Sequence, residues 1–312
     1  MSGAGRCIAC KTLSGIIDGP GKAMWGRPEA SVMGDLLITG RATLSGGDPP
    51  SIQRVAGQPD ECRVNRPPDH WECAQMLARL WSRLDKAERR LRRSFGTDIS
   101  DPVSRRWSAL HYNLFDHAFL RVLWTNFFQI APDVYRSNQP THRRFKRYAA
   151  MGIRTVVNLR GEDRFAHYLF ERESCAALGL TLVDAKLWAR EAAPRNRIVK
   201  VIDALRAAER PMMFHCKSGA DRAGFVAALY LLVFEDAPIA DAKKQLGIKY
   251  MHLDFTKTGV QDYVLRVYEA RQTLGAIGFE DWIRTEYRSK VIQPSWDARR
   301  PESDCAREMM RG

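Results

Sequence analysis

The sequence predicts an α/β domain, with a central, mostly parallel sheet flanked by helices and a disordered N-terminal leader in front of it. Short apolar, β-branched runs alternate with helix-period segments between residues 107 and 290, the pattern of crossover-connected parallel strands. The chain has 312 residues, 45% hydrophobic and 27% charged, a mixture that builds a sizeable core and sets aside collagen-like, fully disordered and disulfide-scaffold classes. Breaker residues cluster at the front, where Gly19-Pro20, Gly46-Gly47-Asp48-Pro49-Pro50 and Pro67-Pro68 interrupt any periodicity.

Taken in order, residues 1–70 read as a disordered leader, with Met76 as an alternative start. Residues 71–106 read as a basic amphipathic helix and linker. Leu77, Leu80, Trp81, Leu84, Ala87, Leu91 and Phe95 recur at spacings of three and four, with Arg79, Arg83, Lys86, Arg89, Arg90, Arg92 and Arg93 between them. Such a helix can lie on an anionic membrane surface, but packing against the domain with a solvated basic face is the commoner role. The compact domain is expected over 107–290. Residues 118–130 are apolar but carry Arg121, Asn126 and Gln129, which suits a buried helix or strand. Residues 155–159 and 180–187 read as strands, and 195–208 as a helix burying Ile198, Val201, Ile202 and Leu205. Residues 211–215 read as a buried strand and 223–234 as an apolar helix, with further helices to Tyr287 and a polar tail over 291–312.

Lys plus Arg number 49 against 36 Asp plus Glu, a formal charge of +13 that favours polyanionic partners without choosing among them. No run approaches the roughly 18 apolar residues of a membrane span, and the N-terminus lacks a basic-then-apolar signal. The seven cysteines, at 7, 10, 62, 73, 175, 216 and 305, form no staple pattern. The expectation is a cytoplasmic protein, with peripheral membrane contact through helix 76–95 as an option. Cys7 and Cys10 lack a second pair at zinc spacing and are read as chance. The basic run Arg143-Arg144-Phe145-Lys146-Arg147 reads as a solvated helix face. Arg160 either reaches the pocket rim or pairs with Glu162. Nucleic-acid binding would rest on charge alone.

The stretch that carries chemistry is His215-Cys216-Lys217-Ser218-Gly219-Ala220-Asp221-Arg222-Ala223-Gly224, between a buried strand and an apolar helix. A loop in that position can turn successive backbone N–H groups inward beside a helix N-terminus, making an anion cradle from Lys217, Ser218, Gly219, Ala220, Asp221 and Arg222. Gly219 allows backbone angles other residues resist. Arg222 can grip two phosphate oxygens with its fork, as lysine cannot. Cys216, aimed into this electropositive bowl, is expected to be a nucleophilic thiolate near neutral pH.

This stretch resembles the Cys-x5-Arg signature of the protein tyrosine phosphatase superfamily, in its dual-specificity branch. Val134-Tyr135-Arg136-Ser137-Asn138-Gln139-Pro140 and the segment 152–161 resemble the first half of bacterial and plant–fungal atypical dual-specificity phosphatases, so the likeness covers about residues 115–270. It implies a dual-specificity-phosphatase-like fold and phosphomonoester hydrolysis without metal or cofactor: Cys216 forms a thiophosphate, Arg222 and the loop amides bind the equatorial oxygens, and His215 supports the loop. One departure is Ala223, where the family has Ser or Thr to help the thiolate depart; it leaves room for a slow phosphoenzyme or a phosphate-binding pseudophosphatase. The general acid is open. Asp221 ranks first, because some lipid-active relatives carry an Asp there and a carboxyl among anions resists ionisation. Glu191, before Pro194 in the stretch that the resemblance implies is the acid loop, ranks second. Asp184 lies in a strand pattern, where a structural role competes. The substrate is expected to be a phosphoprotein; Lys217, Asp221 and the net charge keep a phosphoinositide, inositol phosphate or phospholipid as the alternative.

Overall fold

The computed structural model describes residues 94–311 and, upstream, Arg79, Trp81, Ser82, Arg83, Lys86 and Arg90. All belong to the second of two units, Arg66–Gly312. The leader and most of the basic helix therefore lie outside the described residues. Those of the helix that are described are helical and exposed, and Trp81, expected on the apolar stripe, is 69% exposed. Phe95 does pack, edge-on to Trp107, His111 and Phe115 at 5.1–6.3 Å.

Asp101 caps helix α1 (Pro102–Leu114) by accepting from the Val103 and Ser104 N–H groups, with proline in the first turn where its missing donor costs nothing. A 3₁₀ turn (Ala118–Val122) leads into β1 (Phe128–Ala131) and β2 (Val134–Asn138). There follow α2 (His142–Ala150), β3 (Thr155–Asn158), α3 (Ala166–Ala177), β4 (Thr181–Asp184), α4 (Arg195–Ala207), β5 (Met212–Cys216) and α5 (Asp221–Phe234). The strand order is β1-β2-β5-β3-β4, parallel except for β1. This is the expected α/β architecture. The basic run in α2 is a solvated face: Phe145 and Tyr148 are buried while Arg143, Lys146 and Arg147 are exposed.

β5 holds the centre because it is the strand apolar enough to be buried on both faces. Met212, Met213 and Phe214 are 0% exposed, with parallel neighbours on either side. Met213 faces a core shared with Phe145, Tyr148, Ile153, Val156 and Cys175, under α2 and α3. Met212 and Phe214 face the larger core under α4 and α5. Helix α5 is buried from Ala223 to Tyr230, because α6 (Ile239–Lys243), α7 (Val260–Gln272) and α8 (Phe279–Thr285) pack around it. Strand β5 thus delivers Cys216 to the carboxyl edge of the sheet, where open α/β sheets place their ligands.

The segment expected as a polar tail is instead helical. Helices α9 (Ser289–Asp297) and α10 (Glu302–Met310) pack on α7, burying Ile292, Trp296, Cys305, Ala306 and Met309. Few apolar residues do this work and Pro294 sits inside α9, so no helical period stands out in the sequence.

Candidate active site

The loop from Cys216 to Arg222 is braced from behind by its carbonyl oxygens. The Lys217 carbonyl accepts from the Gln139 N–H at 3.4 Å, and the Ser218 carbonyl from Asn126 Nδ2 at 2.9 Å. Arg136 Nη2 donates to the Gly219 carbonyl at 2.8 Å and the Ala220 carbonyl at 3.3 Å. Across a trans peptide the C=O of one residue and the N–H of the next point in opposite directions. Binding these four carbonyls therefore turns the N–H groups of Ser218, Gly219, Ala220 and Asp221 toward the concave side. The Ala220 N–H also leans on Ser218 Oγ at 3.3 Å.

Gly219 is required twice over. Its φ is +74°, and a Cβ there would lie 2.7 Å from the Asn138 nitrogen and 2.8 Å from the Ser137 carbonyl carbon, backbone atoms that cannot swing away. Gly219→Ala is expected to lower stability by about 2 kcal/mol and to weaken inorganic phosphate binding, read by urea unfolding and by competitive inhibition.

Arg136 is a brace that inspection of the sequence passed over. It is fully buried in β2, with its guanidinium 3.8 Å from the Tyr250 ring centroid. Its Nη1 donates to the Gln245 carbonyl at 2.8 Å and to Gln245 Oε1 at 2.9 Å. Burial pushes its pKa down to about 10, against the pull of Tyr250 and Cys216, so it stays cationic at neutral pH beneath the loop. Asn126 is the second brace. Its φ of +45° suits asparagine, and its amide also reaches the Tyr250 carbonyl at 3.0 Å.

Cys216 is 1% exposed at the floor of the cradle. Arg222, at the start of α5, donates to the Leu159 carbonyl at 3.4 Å, and its buried Nε has no hydrogen-bond partner. Burial lowers its pKa, and the neighbouring Cys216 and Asp221 oppose that shift. His215 is fully buried and bonds Glu171, which in turn accepts from Gln139 at 2.7 Å. The floor of the loop is thereby tied to α3.

A cleft of about 440 Å³ opens above the cradle. Lys217, Ser218, Asp221 and Arg222 line it together, and Asp116, Arg121, Arg190 and Thr258 stand on its walls as well. Of the acid candidates only Asp221 lines this cleft. Glu191 is exposed and its neighbours Ala189 and Arg190 take the wall instead. Asp184 accepts from Asn158 Nδ2 at 2.9 Å and from the Tyr168 hydroxyl at 2.7 Å, which holds β4 to β3 and α3.

Asp116 was not legible as a site residue. It receives both Nη atoms of Arg160 at 2.8–2.9 Å, Arg121 at 2.8 Å and Lys217 at 3.5 Å. Burial alone would raise its carboxyl, but these cations hold it far below the usual carboxylate range. Asp116 is thus a fixed anion that cannot lend a proton. Arg160 pairs with it and with Gln139, not with Glu162.

Residues 128–254 match the family model described as Swiss Army Knife protein, DSP-PTPase phosphatase domain. Residues 128–254 are thus a PTP/DSP-like phosphatase domain. No curated protein matches the chain. Among solved structures, Pseudomonas aeruginosa TpbA is 21% identical, with a TM-score of 0.39, over 46% of this chain and 84% of that one. A DUF442 protein from Shewanella putrefaciens CN-32 is 16% identical, with a TM-score of 0.39, over 47% and 90%. The catalytic core of the PP-IP phosphatase Siw14 from Saccharomyces cerevisiae is 15% identical, with a TM-score of 0.38, over 48% and 94%. Among the described residues, no helix of this phosphatase domain or its flanks is long and apolar enough to cross a membrane.

Proposed function

We propose that the chain hydrolyses phosphomonoesters through a covalent Cys216 intermediate, as a protein tyrosine or dual-specificity phosphatase that needs no metal. The observation that carries this reading is the set of four loop carbonyls bound from behind, which leaves the amides and Arg222 for a phosphate set over Cys216. In the first step the Cys216 thiolate attacks phosphorus, the ester P–O bond breaks, and Asp221 gives its proton to the leaving oxygen. The amides and the Arg222 fork hold the three equatorial oxygens, whose contacts tighten as the trigonal transition state forms. In the second step water attacks phosphorus, the S–P bond breaks, and Asp221 recovers a proton from that water. Inorganic phosphate leaves.

Ala223 offers no hydroxyl to the departing thiolate, so the second step is the slow one. Mixing the chain with an aryl phosphate in the presence of chelator is expected to release a burst of phenol close to one per enzyme, followed by slower turnover. Ala223→Ser is expected to raise that turnover several-fold without changing the burst. Absence of both burst and turnover would sink the reading. An inositol phosphate or phospholipid substrate is the second reading, favoured by the basic groups Lys217, Arg121 and Arg190 on the cleft wall. Comparing kcat/KM for a phosphotyrosyl peptide and an inositol polyphosphate decides between them.

A further inference from the structure

The loop after α6 carries a buried histidine that the mechanism above does not use. His252 has a side chain only 1% exposed and holds a carboxylate at each ring nitrogen. Its Nδ1 lies 2.8 Å from Asp221 Oδ1, and its Nε2 lies 2.6 Å from Asp262 Oδ2 in the first turn of α7. A neutral imidazole has one N–H and could satisfy only one of these carboxylates; two contacts of this length call for two donors, the imidazolium. Burial works against that charge, yet with Asp221 as the carboxylate left after proton transfer, its hydrogen bond and charge together with those of Asp262 raise the His252 pKa to about 9. Those carboxylates, one on α5 and one on α7, are the charged groups that face the ring.

The same loop is fastened to the cradle. Its Tyr250 carbonyl accepts from Asn126, which also holds the Ser218 carbonyl, and its Tyr250 ring lies on Arg136, which holds Gly219 and Ala220. The His252 N–H is anchored on the Gly247 carbonyl at 3.2 Å. The ring is therefore placed by the elements that shape the cradle.

We propose that His252, oriented by Asp262, is a positioning residue that pins Asp221 Oδ1 so that its Oδ2 faces the leaving group, and that it neutralises the carboxylate formed when that proton departs. This rests on the reading of Asp221 as the acid of a phosphatase. The step balances: the Asp221 Oδ2–H bond breaks as the O–H bond of the leaving group forms, and the His252 Nδ1–H bond to Oδ1 persists throughout.

The test compares phenyl phosphate, whose poor leaving group needs a proton, with 2,4-dinitrophenyl phosphate, whose leaving group does not. The quantity is kcat/KM, which reads the first step alone. His252→Gln places an amide toward Asp262 but not toward Asp221. It is expected to lose about 10²-fold on phenyl phosphate and no more than about threefold on the dinitrophenyl ester. Asp221→Asn is expected to show the same split, and the double variant no further loss. His252→Asn, whose amide nitrogen stands where Nδ1 was, is expected to recover most of the rate. Equal losses on both esters, in variants whose unfolding midpoint matches wild type, would overturn the proposal, as would full additivity. Should His252→Gln fail to fold, Asp262→Asn carries the same comparison. If the wild-type chain hydrolyses neither ester, the phosphatase reading itself has failed, an outcome distinct from loss of the split.

Discussion

Cys216→Ser is expected to bring hydrolysis of an aryl phosphate down by at least about 10⁴-fold, to the background of the buffer, with the burst gone as well. A serine hydroxyl fits the same space, but it is a far weaker nucleophile than a thiolate. The cradle does not depend on the sulfur: its amides are aimed by the bonds from Gln139, Asn126 and Arg136 to the loop carbonyls. Inorganic phosphate is therefore expected to bind the variant within about threefold of wild type, measured by isothermal titration, because binding and chemistry draw on different atoms. Hydrolysis retained in Cys216→Ser would overturn the covalent mechanism.

Arg136→Met is expected to lower kcat/KM by about 10²-fold or more and to reduce stability by about 3 kcal/mol. Methionine fills the volume of the aliphatic stem but leaves the Gly219 and Gln245 carbonyls without their donor, while the Ala220 carbonyl keeps the Gly224 N–H at 2.9 Å. Two orphaned buried carbonyls, with a loosened loop around them, would cost more than this if nothing offset them. The offset is the desolvation of the guanidinium itself, evident in a pKa pushed down to about 10, which the substitution relieves. The activity loss has a separate cause: a loop free to turn its carbonyls inward no longer presents amides to phosphate. Denaturant unfolding and steady-state kinetics on one preparation separate the two, and unchanged kinetics with lowered stability would show that the loop keeps its shape unaided.

What the sequence revealed followed local physics. β5, its loop and α5 were legible because a strand buried on both faces and a helix buried nearly all round leave continuous apolar runs, with Gly219 marking the turn between them. β2 was not, since Arg136, Ser137 and Asn138 are all buried polar residues and show no alternation. Their burial makes sense only once the loop carbonyls they serve are beside them. Asp116 meets Arg160 across 44 residues, and His252 meets Asp221 across 31. No window of sequence spans such pairs. Glu191, the second acid candidate, stands exposed outside the cleft wall, because proximity to a proline in sequence says nothing of which side chain turns inward.

The bracing of the cradle also bears on how far this domain is portable. Residues 128–254 hold the signature, yet several of the groups that make it work stand outside that span. Asn126 fixes the Ser218 carbonyl, the Thr125 carbonyl receives the Asn138 N–H, and Asp116 gathers Arg160, Arg121 and Lys217. Beyond the other boundary Asp262 holds His252, α7 and α8 close over α5, and α9 and α10 back α7. A fragment cut to the family boundaries would keep the letters of the motif and lose its grammar. Grafting the loop into another scaffold would likewise need these distant clamps, from Asp116 to Asp262 and the helices behind them, to travel with it.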